Sequence, residues 1–366
     1  MRRPVARPFP SESAAARVNG PSLGVTDKRH PEVLARARVL VRALIAGGRS
    51  EARPSGPVSL DDESVALAST EGITPWLGAA VAQGRIAVPS RHREQLVWEH
   101  QMCLAANVVR ARTGAQFAER CREAGIAAAW LKGMAMVQGI LPPGERSMID
   151  VDVLVPASRW GQACQLASRV IGDEVVVAGR PYTAAHDYVR AFTSSAGVTL
   201  EVHRYVCESS LFGIDHEGPD GLFARARPGQ GGISVLDEGD LFLTFAAHAA
   251  KHTFELPLRS FLDGIVLLRR GRLNMATLQA RARGWRMETA LQLWLRALAV
   301  LAPGAFEAPN LPGASPLAGL VWSRTREASA WQRFLRLGWI VDGPGDWVRH
   351  VASRVLLRAR DAVSPT

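Results

Sequence analysis

The 366-residue chain predicts an α+β protein, in which a small mixed β-sheet core is flanked by N-terminal and C-terminal helical regions. Apolar residues recur at three- and four-residue spacing through 31–125 and again from 237 onward, the period of helices with one buried face. Between them, residues 126–206 change register to short aliphatic runs with period-two alternation. The length also exceeds the ~250–300 residues at which a single core stops growing.

Each element follows from local pattern. Residues 1–30 mix Pro, Ser, Gly and Arg without periodicity, the composition of a disordered basic leader. In 31–125, Val33, Leu34, Val39, Leu40, Leu44 and Ile45 fall on one helical stripe, 104–121 repeats the pattern, and Pro54, Gly56 and Pro57 break it once. The core, 126–206, reads as a short strand at 126–131, a helix of one or two turns at 134–140, a Pro-Pro-Gly loop at 142–144, a strand at 149–155 and a helix at 157–171. Strands at 174–177, 188–193 and 198–206 complete it. A connector, 207–236, leads to the C-terminal domain, 237–366, with helices expected at 241–252, 261–268, 275–283, 289–301 and 347–360.

Composition narrows the function classes. Hydrophobic residues at 47% and charged residues at 21% belong to a globular chain, not a disordered or fibrous one. No apolar run reaches the ~18–20 residues of a membrane span, and the basic N-terminus lacks the apolar segment of a secretory signal, so the sequence predicts a cytoplasmic protein. Cys103, Cys121, Cys164 and Cys207 are far apart, with no CxxC pair, and read as reduced core thiols. The net charge of +10 is concentrated at the two ends, where residues 1–30 and 324–366 supply eight of the ten charges. The body is nearly balanced, which argues against nucleic acid as the main ligand. The Arg-rich C-terminal helix, with Arg349, Arg354, Arg358 and Arg360 beside Trp347 and Val348, admits two readings: a solvated face, or contact with an anionic membrane or a partner.

Several motifs are absent. None of the three lysines, Lys28, Lys132 and Lys251, follows a glycine, so there is no Walker A loop. The GxSxG match at Gly20–Gly24 has no strand before it and lies in the leader. His248 and His252 have helical zinc-ligand spacing but no evident third ligand, and Lys251 reads as a surface residue.

The segment Ile149-Asp150-Val151-Asp152-Val153-Leu154-Val155 carries the chemistry. Strand alternation places Asp150 and Asp152 on one face, their Cα atoms roughly 6.7 Å apart. Aspartate is depleted in strands, and two like charges on an aliphatic strand repel unless a cation compensates. A second strand, Val198-Thr199-Leu200-Glu201-Val202-His203, puts Glu201 and His203 on one side and offers a third carboxylate. Upstream, Leu131-Lys132-Gly133 ends a strand and opens a helix, a place where backbone N–H groups and a glycine admit a phosphate. Arg146 and Ser147 precede Asp150 and suit triphosphate oxygens.

This order resembles the polymerase-β-type nucleotidyltransferase superfamily and is most similar to the bacterial uncharacterised nucleotidyltransferase family, with its LKG, R, DxDxLV and ExH elements. The resemblance extends over about 60–310 and takes in the helical segment with His248, His252, Leu258 and Asp263. It implies a palm-like nucleotidyltransferase core. Asp150, Asp152 and Glu201 would be the catalytic residues and ligands of two Mg²⁺ ions (Mn²⁺ as a substitute). Lys132, Gly133, Arg146, Ser147 and His203 would bind the NTP. It further implies transfer of NMP to an acceptor, with pyrophosphate released; the acceptor classes it suggests are a small molecule, a peptide natural product, a polysaccharide intermediate or a protein. The wider superfamily usually carries Gly-Ser at the phosphate turn, where this chain has Gly133-Met134. Two competing readings remain at this level: a DxD-type glycosyltransferase using a nucleotide sugar, and an inactive nucleotidyltransferase fold acting as a binding or antitoxin-like protein.

Overall fold

The computed structural model describes residues 30–46, 57–177, 180–181, 188–229, 232–306, 336–338 and 340–363. The leader and its GxSxG match lie outside the described residues, as do parts of the connecting segments.

The N-terminal region begins with α1 (His30–Ile45). After β1 (Val58–Ser59) come α2 (Asp62–Thr70), capped by the Asp61 carboxylate on the Ser64 N–H, and α3 (Thr74–Ala82). Strand β2 (Ile86–Ala87) pairs parallel with β1, a two-stranded sheet inside a region expected to be wholly helical. These strands are only two residues long, too short for a period-two signal. The long α4 (Ser90–Glu123) then runs 34 residues, about 51 Å at 1.5 Å per residue. It crosses the back of the sheet closely. A Cβ on Gly114 would stand 2.3 Å from the Trp130 ring, so only glycine fits there.

The expected core elements follow in order, with β6 added to them: β3 (Ala129–Trp130), α5 (Lys132–Val137), β4 (Asp150–Leu154), a 3₁₀ turn into α6 (Trp160–Val170), β5 (Val176–Val177), β6 (Arg180–Pro181), β7 (Val189–Thr193) and β8 (Thr199–His203). Further on, α7 (Leu222–Arg225) precedes β9 (Arg227–Pro228) and β10 (Ser234–Val235). The main sheet has six strands among the described residues, in the order β7-β8-β4-β3-β10-β9. It is mixed: β4 runs parallel to β8 and antiparallel to β3, while β10 is parallel to β3. Thus residues expected as a connector supply two strands of the sheet.

The C-terminal helices are α8 (Glu238–Lys251), α9 (Leu258–Arg269), α10 (Met275–Gly284), α11 (Glu288–Leu301) and α12 (Pro344–Val363). Trp294 is fully buried and stacks near Phe261 and Phe242, with ring centroids 5.2 and 6.4 Å away. Asp240, wholly buried on α8, accepts from Arg225 and Arg281, so its charge is met from two sides. All four cysteines are buried and unpaired, as expected of core thiols. No described helix is long and apolar enough to cross a membrane. On α12 the Arg349 guanidinium pairs with Asp346, while the side chains from Arg354 onward lie outside the described residues.

Candidate active site at the β4–β8 seam

The site is built by register. In the parallel β4/β8 pair, Asp150 lies opposite Thr199, Asp152 opposite Glu201 and Leu154 opposite His203. Because Cβ atoms alternate faces along both strands, Asp152, Glu201 and His203 emerge together. Val151, Val153 and Val202 point into the core and are fully buried, which anchors the strands in that register.

The resulting cluster is tight. His203 Nε2 lies 2.9 Å from Asp152 Oδ1 and 3.2 Å from Glu201 Oε2. An imidazole nitrogen between two carboxylate oxygens carries a proton. Lys132 Nζ stands 2.7 Å from the same Asp152 oxygen and 3.8 Å from Glu201 Oε2. Burial pushes the Asp152 carboxyl up, but the charge of Lys132 and the His203 hydrogen bond outweigh it and hold the group well below the ordinary carboxylate range. Burial likewise pulls His203 down, and its hydrogen bonds to Asp152 and Glu201 turn the net direction upward.

Donor chemistry and geometry fit a divalent cation. Asp152, Glu201 and His203 bring one donor atom each to within 4.8 Å of one another, the two carboxylates as ligands and the His203 Nε2–H as their partner, and no other such group of three occurs among the described residues. Two carboxylate oxygens suit Mg²⁺ or Mn²⁺. The Lys132 ammonium already marks the place where positive charge is favoured.

Asp150 stands apart from this trio. It opens β4, is half-buried, and feels the charge of Arg110 from α4. Three other expected NTP-binding residues are engaged elsewhere. The Arg146 guanidinium grips Asp263 of α9, Nε to Oδ1 at 2.9 Å and Nη2 to Oδ2 at 2.8 Å, with the Asp263 side chain fully buried. The Ser147 hydroxyl donates to the Gly72 carbonyl at 2.7 Å. A Cβ on Gly133 would fall 2.6 Å from Met148 Cγ, so this glycine makes room for a core side chain. The loop before β4 is thereby clamped, with Asn107 of α4 also donating to the Pro143 and Arg146 carbonyls at 2.6 and 2.8 Å.

Sequence reasoning missed a basic flank. Lys251 is half-buried, not a surface residue: it closes α8, donates to the Tyr188 hydroxyl, and its Nζ lies 4.8 Å from the Tyr188 ring centroid. Tyr188 in turn lies beside His203, ring centroids 6.0 Å apart. His248, one turn earlier on α8, stacks near His252 at 4.6 Å. Burial, and then the positive charges of His252, Lys132 and Lys251, hold His248 neutral, far below the usual histidine range. Burial also lowers Lys251, with Glu208 opposing it. In the sequence this flank shows only as His248, Lys251 and His252 at i, i+3 and i+4 on a helix after the sheet.

The chain matches the family model described as uncharacterised nucleotidyltransferase over residues 60–303, two thirds of its length. It belongs to that family. Membership supports nucleotidyl transfer as the general activity and an NTP as substrate, and the match takes in β3 through α11, including the cluster. No curated protein and no solved structure matches the chain significantly.

Proposed function

We propose that this nucleotidyltransferase is Mg²⁺-dependent and transfers NMP from an NTP to a hydroxyl of a non-nucleic-acid acceptor, releasing pyrophosphate. The observation that carries the reading is the β4/β8 register, which sets Asp152 against Glu201 with a cation already between them. Asp152 and Glu201 would hold the metal; Asp150, two residues earlier on the same strand face, is the third carboxylate. When bound, the metal supplies charge stabilisation at the α-phosphate and at the attacking and leaving oxygens.

The chain's own residues do the rest. His203 fixes the orientation of both carboxylates through its Nε2–H, as outer partners of metal ligands commonly do. Glu201, with its side chain 12% exposed against 3% for Asp152, is the carboxylate open to an acceptor and takes the acceptor's proton as the new O–P bond forms. Lys132 and Lys251 lie within electrostatic range of each other and together attract negative phosphate oxygens. The clamped loop, through Arg146 and Ser147, keeps β4 in place.

The direct test offers each NTP and, separately, nucleotide sugars with Mg²⁺, and follows pyrophosphate release. The proposal expects consumption of an NTP and loss of it in Asp152→Asn. Turnover of a nucleotide sugar alone would establish the glycosyltransferase reading instead.

A further inference from the structure

The Lys132 ammonium contacts both carboxylates that would hold a metal ion, Asp152 and Glu201. Its Nζ is 2.7 Å from Asp152 Oδ1, the oxygen that His203 also addresses, and 3.8 Å from Glu201 Oε2. An ammonium and a divalent ion sharing one carboxylate oxygen would sit a few ångströms apart as like charges, in a setting where Asp152 is 2% exposed and water screens little. Lys132 must therefore leave when a metal enters.

The chain equips it to move. The backbone of Lys132 is fixed: it opens α5 directly after β3, with φ at +46°, a left-handed conformation that costs a residue with a Cβ on the order of 1–3 kcal/mol. Its flexible four-carbon stem is not fixed, and a quarter of the side chain is exposed, so the ammonium has a path outward. Around Lys132 there is already positive charge, since Lys251 lies within electrostatic range of it and both act on His248. A cation moving outward needs negative charge to meet it, and the phosphates of a nucleotide supply it.

We propose that Lys132 is the resident cation of the acidic cluster and releases Asp152 only when nucleotide phosphates receive its ammonium, so that metal and nucleotide bind as a coupled pair. The inference rests on the reading of the cluster as a metal site. Lys132 is then a coupling residue as well as a phosphate ligand: it holds the metal ligands together in the empty enzyme and penalises metal binding without substrate. Coupling is reciprocal, so the nucleotide also binds weakly without metal.

Mn²⁺ binding, followed by the loss of the free-ion electron paramagnetic resonance signal and corrected for the Mn²⁺ that the analogue chelates in a protein-free titration, tests this without turnover. Wild type, Lys132→Met and Lys132→Arg are titrated alone and with a non-hydrolysable α,β-methylene NTP. Wild type should bind Mn²⁺ about tenfold or more tightly with the analogue than without, within the range of ordinary coupling energies. Lys132→Met should bind Mn²⁺ alone about tenfold more tightly than wild type, and the analogue should add little. Lys132→Arg, which keeps the charge, should bind the metal alone as weakly as wild type. If wild type binds Mn²⁺ equally well with and without the analogue, the coupling is absent and the proposal fails whatever the variants do. If the coupling is present but Lys132→Met gains no affinity for Mn²⁺ alone, Lys132 is not its cause. If no form binds Mn²⁺ under any condition, the metal reading itself falls, and this inference with it.

Discussion

Two buried ionic arrangements lie near each other around β4, and their stoichiometry separates scaffold from site. Arg146 and Asp263 form a two-pronged pair of one base and one acid, both side chains shielded, 9% and 0% exposed, with the guanidinium also donating to the Ser147 carbonyl. At the seam, by contrast, two carboxylates share one lysine and one histidine, and each cation contacts both acids. A closed pair satisfies itself and serves to fix position. A cluster in which every partner is shared can exchange one for a ligand. The difference also appears in proton affinity: burial raises Asp263 despite Arg146, whereas Lys132 and His203 overcome burial at Asp152 and lower it.

Substitutions should divide along the same line. Asp152→Asn should reduce pyrophosphate release by roughly a thousandfold or more, the scale of losing transition-state charge stabilisation, while circular dichroism shows a folded protein. Asp263→Ala should do the reverse, costing about 3–5 kcal/mol of unfolding free energy by leaving Arg146 buried without its carboxylate. Replacing both partners, Arg146→Met with Asp263→Leu, should recover most of that loss in a denaturant titration. Failure of the double variant to recover would give the pair a role beyond the scaffold. His203→Gln should lower turnover by about 10–100-fold, as loss of an outer-shell partner does, with smaller effect on melting temperature.

The smallest effect is in acid stability. A carboxyl with its folded pKa below the ordinary 3.8 stabilises the fold above that value, and the contribution is lost as pH falls through the folded pKa. The metal-free wild type should therefore lose more stability between pH 5 and pH 2 than Asp152→Asn does, measured by denaturant unfolding at each pH. An equal loss would show that Lys132 and His203 do not hold Asp152 ionised.

How far the sequence reaches follows from the range of each interaction. Asp152, Glu201 and His203 were legible because their cause is local: aspartate inside an aliphatic strand, and alternation in a second strand, are visible within seven residues. The parallel pairing that brings them together is not local, but a shared polar face on two core strands left few alternatives. Lys132 was legible as a charge at a strand end, though not as a partner of Asp152. Arg146 was less legible for the opposite reason. Its position before β4 suits a phosphate, and its actual partner, Asp263, is 117 residues away on α9, where nothing in either segment announces the other. Lys251 reads as a surface residue because a lysine at the end of a helix usually is one; here α8 is buried almost throughout and carries its last residue inward to Tyr188. The small β1/β2 sheet and the β9 and β10 strands escaped because two-residue strands carry no periodicity.

The central claim is that the Asp152–Glu201–His203 cluster is a metal-dependent nucleotide site, and calorimetric titration of each NTP, with and without Mg²⁺, into wild type and Asp152→Asn tests it most directly. The account predicts binding of an NTP that requires Mg²⁺ in the wild type and is lost in the folded variant. Binding of equal affinity in both proteins, or independent of Mg²⁺, would contradict it.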